Sequence, residues 1–335
     1  MQKTIFVVDD SLLNLSLAEE ALDKHFRVIT LSSAEKMYST LERLTPDLIL
    51  LDIAMPDESG FDAMKKLKSN IKYANIPVIF LTALTDVFNE ALGIELGAVD
   101  FITKPFSEPV LLNRIKNHIQ IDKIIREHTE QITGIKNSIV LTMSSIIESR
   151  DKYTKGHVER VKLLMKILLD SMVKHDFYSD DMSNWDIASF ASAACLHDVG
   201  KMHVPSTILN KQGSLTDQEF EIIKTHTIEG EKIIEQMIKQ TGEADFLNNA
   251  KLVAVYHHEC WDGTGYPYGL KESDIPLPGR IMAVIDVYDA LVSERSYRSA
   301  MTHDEAVDVI MKASGKHFDP MIIDAFSSVS KLFKQ

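Results

Sequence analysis

Short runs of apolar residues recur along the first 120 or so residues of the chain. Three of them are Ile5-Phe6-Val7-Val8, Leu48-Ile49-Leu50-Leu51 and Val78-Ile79-Phe80-Leu81, and a further run is Val99-Asp100-Phe101-Ile102. Uninterrupted runs of this length are typical of strands that are buried on both faces of a parallel sheet. The segments between them, including 12–24, 34–43 and 61–68, carry a helical pattern. This β-then-α order predicts a doubly wound α/β domain with a parallel sheet.

The pattern changes to a helical one from about residue 108 to residue 149. Apolar residues there recur at spacings close to three and four, and they are Leu112, Ile115, Ile119, Ile125, Ile132, Ile135 and Ile139. Such a stripe indicates a long helix packed on a core or on a partner helix, with Gly134 as its weak point. The heptad repeat is imperfect, so pairing of two chains into a homodimer is one interpretation among two.

A second domain is expected after the connector, because 335 residues exceed the size at which single cores usually divide. Beyond Asp151 the sequence is almost entirely helical in pattern, interrupted by loops at 204–216 and 260–278. We therefore predict a doubly wound domain at 1–122, a helical connector at 123–149 and an all-α domain at 150–335.

The composition excludes several classes of protein. The net charge of −13 argues against a dedicated nucleic-acid binder, which usually presents a basic face. The two cysteines, Cys195 and Cys260, show no paired spacing, which fits a reducing cytoplasm better than a disulfide framework. The N-terminus has no signal-peptide pattern, and no apolar stretch is long enough to predict a membrane span.

Polar side chains follow the predicted strands of the first domain. Asp9 and Asp10 follow the first strand, and Asp52, Thr82 and Lys104 follow later ones. Doubly wound sheets bind ligands at the carboxyl ends of their strands. Three carboxylates there repel each other unless a cation joins them, and oxygen ligands suit Mg²⁺. A lysine and a hydroxyl nearby can hold the oxygens of a phosphorylated aspartate, although each residue alone is equally common as a helix cap.

The second domain contains a set of residues that commonly bind metals. They are His157, His197, Asp198, His226, His257, His258 and Asp286. One histidine in a helical segment is more often an ordinary packed residue than a ligand, but two adjacent pairs favour a metal centre. Histidine with carboxylate suits iron, manganese, zinc or nickel, and ligand type alone does not choose among them. A carboxylate such as Asp198 can bridge two ions, which activates a water between them.

Other residues of this domain suit phosphate chemistry. Lys201 lies one turn after Asp198, and Arg295 and Arg298 are three residues apart, as on one helical face. Arginine pairs well with phosphate in a bidentate manner, although isolated arginines are ordinary surface charges. Trp261 and Tyr266, in a glycine-rich loop, can stack on a base or simply pack at the solvent edge.

The N-terminal residues resemble those of the response-regulator receiver family over about residues 3–122. The matching stretches are FVVDD, LLDIAMPDESG, FLTA and GAVDFITKPF. The resemblance implies a flavodoxin-like fold, phosphorylation of Asp52 by a cognate sensor histidine kinase, and Mg²⁺ among the acidic residues. It further implies that Thr82 and Lys104 contact the phosphoryl group and that Phe101 is the switch aromatic.

The C-terminal residues resemble the HD-GYP branch of the HD phosphohydrolase superfamily over about residues 140–330. The matching stretches are DKYTKGHVERV, ACLHDVGKMHVP, THTIEG, YHHECWDGTGYPYGL, IPLPGRIMAVIDVYDAL, RSYR and GKHFDP. The downstream loop with its HHE and GTGYP elements makes the match much more specific than the His-Asp pair alone. The family hydrolyses the bacterial messenger cyclic di-GMP to the linear dinucleotide pGpG, and often onward to GMP.

The resemblance also implies roles for individual residues. His157, His197, Asp198 and Asp286 would hold one metal, and Asp198 would bridge to a second metal held by His226, His257 and His258. Lys201, Arg295 and Arg298 match positions that contact substrate phosphates, and Asp289 matches a position near the metals. The loop residues Gly265, Tyr266 and Pro267 would form a rim that can contact other signalling proteins.

One position departs from the pattern of some family members. They carry a glutamate four residues before the first metal histidine, where it supports a third metal, and this chain has Tyr153 there. We therefore expect a centre of two transition metals, iron or manganese before zinc or nickel. Asp151 either contacts a cation or water or caps a helix.

Two functions are compatible with these residues. The first is an enzyme in which phosphorylation of Asp52 controls hydrolysis of cyclic di-GMP. The second is a receptor for a cyclic dinucleotide, or a docking module, with weak or no hydrolysis. Hydrolysis of another cyclic dinucleotide is a variant of the first.

Overall fold

A computed structural model describes residues 2–70, 72–83, 87–150, 156–242, 245–294 and 299–334. The chain divides into two compact units, Met1–Ile132 and Thr133–Gln335. Each unit encloses hydrophobic cores of its own. The two units are therefore described separately.

The first unit contains a parallel sheet of five strands. They are β1 (Thr4–Val8), β2 (Arg27–Leu31), β3 (Leu48–Asp52), β4 (Val78–Thr82) and β5 (Asp100–Thr103). Their order is β2-β1-β3-β4-β5 and all pairs are parallel, which confirms the predicted doubly wound fold. Strand β2 was not among the predicted runs. It lies at the edge of the sheet and is only partly buried, so it has no continuous apolar run.

Helices cover both faces of this sheet. They are α1 (Leu12–Leu22), α2 (Ala34–Leu41), α3 (Gly60–Ser69) and α4 (Val87–Glu95). Because successive side chains of a strand point to opposite faces, Phe6 and Val8 join one core with α2 and α3. Ile5 and Val7 join the opposite core with α1. The hydroxyl groups of Ser11, Ser33 and Ser59 cap the first three helices by accepting backbone N–H groups.

Helix α5 (Glu108–Glu148) covers the segment in which the sequence shows a helical pattern. Its first turns pack against the sheet through Leu111 and Ile115. Gly134 lies inside the helix, which continues on both sides of it, so the expected weak point does not interrupt the helix. A glycine lowers the stability of a helix by about 1 kcal/mol relative to alanine. The regular hydrogen bonding of the 41-residue helix outweighs this loss. The later stripe is solvent-exposed, with Ile132 at 67% and Ile135 at 60%.

The second unit is helical, as predicted. Its helices are α6 (His157–Lys174), α7 (Ser179–Met182), α8 (Ile187–Ala194), α9 (Ser206–Leu209), α10 (Asp217–Thr241), α11 (Asp245–Tyr256), α12 (Leu277–Val292), α13 (His303–Lys312) and α14 (Pro320–Val329). Short 3-10 segments lie at Val199–His203, Glu272–Asp274 and Ser330–Phe333. No helix among the described residues is long and apolar enough to cross a bilayer.

Two cores hold these helices together. One joins α6, α8, α12 and α14, and the other joins α8, α10, α11 and the C-terminal turns of α5. Gly200 lies where the segment Val199–His203 crosses α10. A β-carbon at Gly200 would lie 1.9 Å from the carbonyl oxygen of His226, so only glycine permits this approach. The close crossing brings Asp198 and His226 into the same site.

Candidate functional site

Five segments of the second unit converge on one polar site. His157 begins α6, His226 lies on α10 and Asp286 lies on α12. The other four follow the ends of helices: His197 and Asp198 come after α8, and His257 and His258 come after α11. The structure thus brings together all seven residues that were predicted to bind metal. Most of them are buried, with His226 fully inaccessible to solvent.

The histidines and carboxylates form two adjacent groups. In the first, His157, His197 and Asp198 offer ligand atoms that lie within 4.8 Å of one another. The Nε2 atoms of His157 and His197 are 3.2 Å apart, and Asp286 Oδ1 lies 3.9 Å from His157 Nε2.

The second group contains His226, His257 and His258, whose ligand atoms also lie within 4.8 Å of one another. The Nε2 atoms of His226 and His257 are 3.4 Å apart.

Asp198 belongs to the first group and also faces the second. Its Oδ2 atom lies 3.4 Å from His197 Nε2, and its Oδ1 atom lies 3.6 Å from His226 Nε2. One carboxylate oxygen is therefore directed to each group, which is the arrangement of a ligand that bridges two ions. Lys201 Nζ lies 2.6 Å from Oδ2 of the same carboxylate.

The protein fixes the tautomer of the central histidines. The Nδ1 atom of His197 contacts the carbonyl oxygen of Ala194 at 2.9 Å, and that of His226 contacts the Ile223 carbonyl at 2.6 Å. His257 Nδ1 makes the same kind of contact with the carbonyl of Val253 at 3.0 Å. Because a carbonyl oxygen can only accept, Nδ1 carries the proton and Nε2 presents its lone pair to the site.

The protonation states also fit metal binding. Burial lowers the pKa of His257 to about 3, and it lowers the pKa values of His226 and His258 below their ordinary range. These rings are therefore neutral at pH 7, which is the form that binds metal. Burial opposes ionisation of Asp198, but Lys201 and His197 outweigh it, so the pKa of Asp198 lies well below its usual value. The neutral imidazoles of His226, His257 and His258 beside an ionised bridging carboxylate fit divalent transition ions.

Asp289 and Arg160 support the first group. Asp289 Oδ2 accepts a hydrogen bond from His157 Nδ1 at 2.7 Å, and Arg160 donates to the same carboxylate. Glu148 accepts the backbone N–H of His157 at 2.6 Å. Arg160 and Glu148 were not among the predicted site residues. The spacing of Arg160, three residues after His157 on one helix face, was the available indication.

The loop after His258 is held close to the metal ligands. The Tyr266 ring lies 4.8 Å from the ring of His258, and the peptide bond between Tyr266 and Pro267 is cis. A β-carbon at Gly265 would lie 2.3 Å from the backbone nitrogen of Cys260, so this position requires glycine. The buried carboxylate of Glu259, another residue that was not predicted, accepts the backbone N–H groups of Tyr268, Gly269 and Leu270.

Several predicted residues have no described position. Arg295, Arg298, Asp151 and Tyr153 lie outside the described residues. Lys201 is placed at the site, where its side chain is 20% exposed.

A second site lies in the first unit, at the carboxyl edge of the sheet. Asp9, Asp10 and Asp52 offer oxygen atoms within 4.8 Å of one another, and Asp9 and Asp52 are buried. Lys104 Nζ lies 2.6 Å from Asp9 Oδ2 and 2.8 Å from Asp52 Oδ1. This arrangement of oxygens is compatible with Mg²⁺.

Two further predicted residues of this unit lie near that edge. Thr82 is the buried last residue of β4, just as Asp52 is the last residue of β3, so both end a strand instead of following it. Phe101 lies on β5, half-buried, with its ring centroid 5.5 Å from that of Phe80.

Comparison with known proteins identifies both domains. The family model described as an HD domain matches residues 142–322, and the one described as a response regulator receiver domain matches residues 5–116. A probable cyclic di-GMP phosphodiesterase of Vibrio cholerae is 38% identical, over 97% of this chain and 77% of that protein. A cyclic di-GMP phosphodiesterase of Thermotoga maritima is 31% identical, over 98% of this chain and 90% of its own.

A third relative matches a smaller share of the chain. A 3'3'-cGAMP-specific phosphodiesterase of Vibrio cholerae is 35% identical over 56% of this chain and 33% of its own length. The first two relatives, in contrast, match almost the whole chain. The chain therefore belongs to the family of response regulators in which a receiver domain is joined to an HD domain, the divalent metal-dependent hydrolase fold.

Proposed function

We propose that this protein hydrolyses cyclic di-GMP at a centre of two metal ions and that phosphorylation of Asp52 controls this activity. The observation that carries the proposal is the position of Asp198 between two groups of histidines, each with its ligand atoms within 4.8 Å of one another. The relatives that match nearly the whole chain are named for the same substrate.

The seven candidate ligands would hold two metal ions. His157, His197 and Asp286 would hold one ion, His226, His257 and His258 would hold the other, and Asp198 would bridge them. When bound, the two ions would lower the pKa of the water between them and neutralise charge on the phosphate. Iron or manganese is the proposed metal, with zinc or nickel as alternatives.

The lysine and arginine side chains would bind the substrate. Lys201, at the exposed edge of the site, would contact a phosphate oxygen, as would Arg295 and Arg298. Asp289 would hold His157 in orientation. Tyr153 in place of glutamate supports two ions instead of three, and Asp151 remains a proposed contact to a cation or water. A product assay distinguishes release of pGpG alone from further hydrolysis to GMP.

The substrate is tested by incubating anaerobically purified, metal-loaded protein with cyclic di-GMP and with 3'3'-cGAMP. We expect the linear dinucleotide pGpG to appear from cyclic di-GMP at the higher kcat/KM. We include 3'3'-cGAMP because one relative is specific for that dinucleotide. Preferential cleavage of 3'3'-cGAMP would contradict cyclic di-GMP as the substrate. Cleavage of neither would contradict the enzyme proposal.

A docking role is the second candidate function. Tyr268, in the loop that contains Gly265, Tyr266 and Pro267, is 54% exposed and available to another signalling protein. The double variant His197→Ala, Asp198→Ala separates the two functions. It should abolish turnover, whereas a protein that acts only by docking would keep its cellular output.

The receiver site would use Mg²⁺ held by Asp9, Asp10 and Asp52, with a sensor histidine kinase as the phosphodonor. Lys104 already contacts Asp52 and would contact the phosphoryl group together with Thr82, while Phe101 would respond to it. Both cysteines are free thiols, and we propose the reducing cytoplasm as the location.

The connector helix α5 would pair two chains. Ile125, Ile132 and Ile139 recur every seven residues and are 59%, 67% and 54% exposed, with Ile135 between them. This spacing is typical of one seam of a coiled coil. Ile132→Lys should shift the sedimentation coefficient from that of a dimer to that of a monomer. An unchanged coefficient would contradict pairing through this seam.

A further inference from the structure

An exposed aromatic residue and a lysine lie beside the metal centre on α10. Phe220 is 43% exposed, although large aromatic side chains usually lie in a core. The Phe220 ring meets the Tyr266 ring edge to face, with centroids 6.1 Å apart. Lys224 Nζ lies 4.9 Å from the centroid of Phe220 and 5.6 Å from that of Tyr266. These three residues form one continuous wall.

The wall is continuous with the proposed metal ligands. Tyr266 lies 4.8 Å from His258 and 6.5 Å from His226, measured between ring centroids. His226 follows Lys224 on the same helix. A phosphate held at the metal ligands would therefore leave its attached nucleoside within reach of Phe220 and Lys224.

Ordinary surface packing explains part of this arrangement. Lys224 pairs with Glu221 at 2.6 Å, and Lys232 pairs with Glu229 at 2.7 Å two turns further along the helix. Both pairs have i,i+3 spacing. Among the described residues, the ring contacts of Lys224 with Phe220 and Tyr266 have no counterpart at Lys232. Lys232 is therefore a matched control for Lys224.

The chemistry of the wall suits a purine. An exposed ring offers a stacking platform to a base, and a cation above it adds attraction to the aromatic face. A lysine can donate to both O6 and N7 of guanine, whereas adenine offers N7 as an acceptor and an amino group in place of O6. Lys224 is thus suited to distinguish the two purines.

We propose that Phe220, Lys224 and Tyr266 form the subsite for one guanine of the substrate, with Phe220 stacking on the base and Lys224 donating to its O6 atom. The proposal rests on the proposed diesterase function and adds to it the residues that recognise a base.

The test compares a nucleotide with a diester that has no base. KM and kcat are measured for cyclic di-GMP and for its abasic analogue, in which a hydrogen atom replaces each guanine, with metal-loaded wild type, Phe220→Ala, Phe220→Tyr and Lys232→Ala. Phe220→Ala should raise the ratio of the KM for cyclic di-GMP to the KM for the base-free diester by roughly 5- to 150-fold. Phe220→Tyr should restore the ratio, and Lys232→Ala should leave both activities at the wild-type level.

Lys224→Ala tests the choice of base. It should reduce the preference for cyclic di-GMP over 3'3'-cGAMP at least about fivefold, as expected for one base contact. Equal losses on all substrates, or an unchanged KM ratio in Phe220→Ala, would overturn the subsite.

The two proposals fail in different ways. Wild type that cleaves no diester would contradict the proposed function. Calorimetric binding of cyclic di-GMP to the metal-loaded protein would then test the subsite, and equal affinities of wild type and Phe220→Ala would overturn it.

Discussion

Asp289 Oδ2 accepts a hydrogen bond from His157 Nδ1 over 2.7 Å, and the opposite nitrogen of that ring faces His197 at 3.2 Å. The two residues are 132 positions apart in the chain. The carboxylate determines which nitrogen of His157 carries the proton, and it makes the ring a better ligand. Arg160 donates to the same carboxylate. Burial opposes ionisation of Asp289, but the hydrogen bonds from His157 and Arg160 outweigh it and hold the pKa of the carboxyl below its usual value.

Asp289→Ala should therefore weaken metal binding without removing a ligand. We expect a loss of affinity of about 10- to 100-fold, measured by competition with a chelator. Arg160→Ala should cause a smaller loss in the same direction. Asp308→Ala on α13, which removes a carboxylate from an exposed pair with Lys312, is the control and should bind as wild type does. Equal affinities of Asp289→Ala and this control would contradict the role of Asp289.

Two glycines make a matched pair for stability. Gly134→Ala adds a β-carbon with no atom within 4 Å in the middle of α5, so it should stabilise the protein by about 0.5 to 1 kcal/mol. Gly200→Ala adds a β-carbon 1.9 Å from the His226 carbonyl oxygen and should destabilise by about 1 to 3 kcal/mol. Urea unfolding measures both changes. A Gly200→Ala variant as stable as wild type would show that the segment Val199–His203 can pack on α10 without the close approach at Gly200.

The stability of the metal-free protein should depend on pH. Burial lowers the pKa of His257 to about 3 from 6.5, so the unfolded chain binds more protons between these values. The free energy of unfolding should consequently fall as pH drops below 6.5, by about 2 kcal/mol at pH 5 from this residue. His226 and His258 act in the same direction. His197 acts in the opposite direction, because its burial is outweighed by Asp198 and Asp286, which raise its pKa.

Urea unfolding of chelator-treated protein at pH 5 and pH 7 checks this dependence. His257→Gln removes the titrating ring and should show a smaller difference between the two pH values than wild type does. Identical differences would mean that folding does not change the pKa of His257.

The receiver site makes a separate prediction. Incubation with acetyl phosphate and Mg²⁺ should phosphorylate wild type at one residue, detected as one added phosphoryl mass. Asp52→Asn should remain unmodified, because the amide is not a nucleophile. Asp57→Asn, a nearby change at an exposed aspartate, should be modified as wild type is. Phosphorylation of Asp52→Asn would place the acceptor elsewhere.

Much of the fold follows from the sequence where burial is complete. Leu48-Ile49-Leu50-Leu51 is buried on both faces, and it was predicted as a strand because of that. Strand β2 was not predicted, because it lies at the sheet edge and the polar residues Arg27 and Thr30 interrupt its apolar run. The edge position depends on which strands pair, and local patterns do not contain that information.

The supporting residues of the site show the same limit. The seven candidate ligands were predicted from their residue types and from resemblance, and the structure brings them together. Glu259 and Phe220 were missed, since the role of Glu259 depends on how its own loop folds back and the role of Phe220 on a contact with that same loop. The pattern of apolar residues in a sequence shows which face of a helix is buried. It does not show which side chains of other segments contact that face.

A metal titration with turnover followed at each addition tests directly whether two ions carry the reaction. Metal-free protein receives Mn²⁺ or anaerobic Fe²⁺ in steps, and bound metal and cleavage of cyclic di-GMP are recorded together. We expect two ions per chain and turnover that appears with the second ion, while Asp198→Ala neither binds two ions nor turns over. Full turnover with one ion, or undiminished turnover by Asp198→Ala, would contradict this expectation.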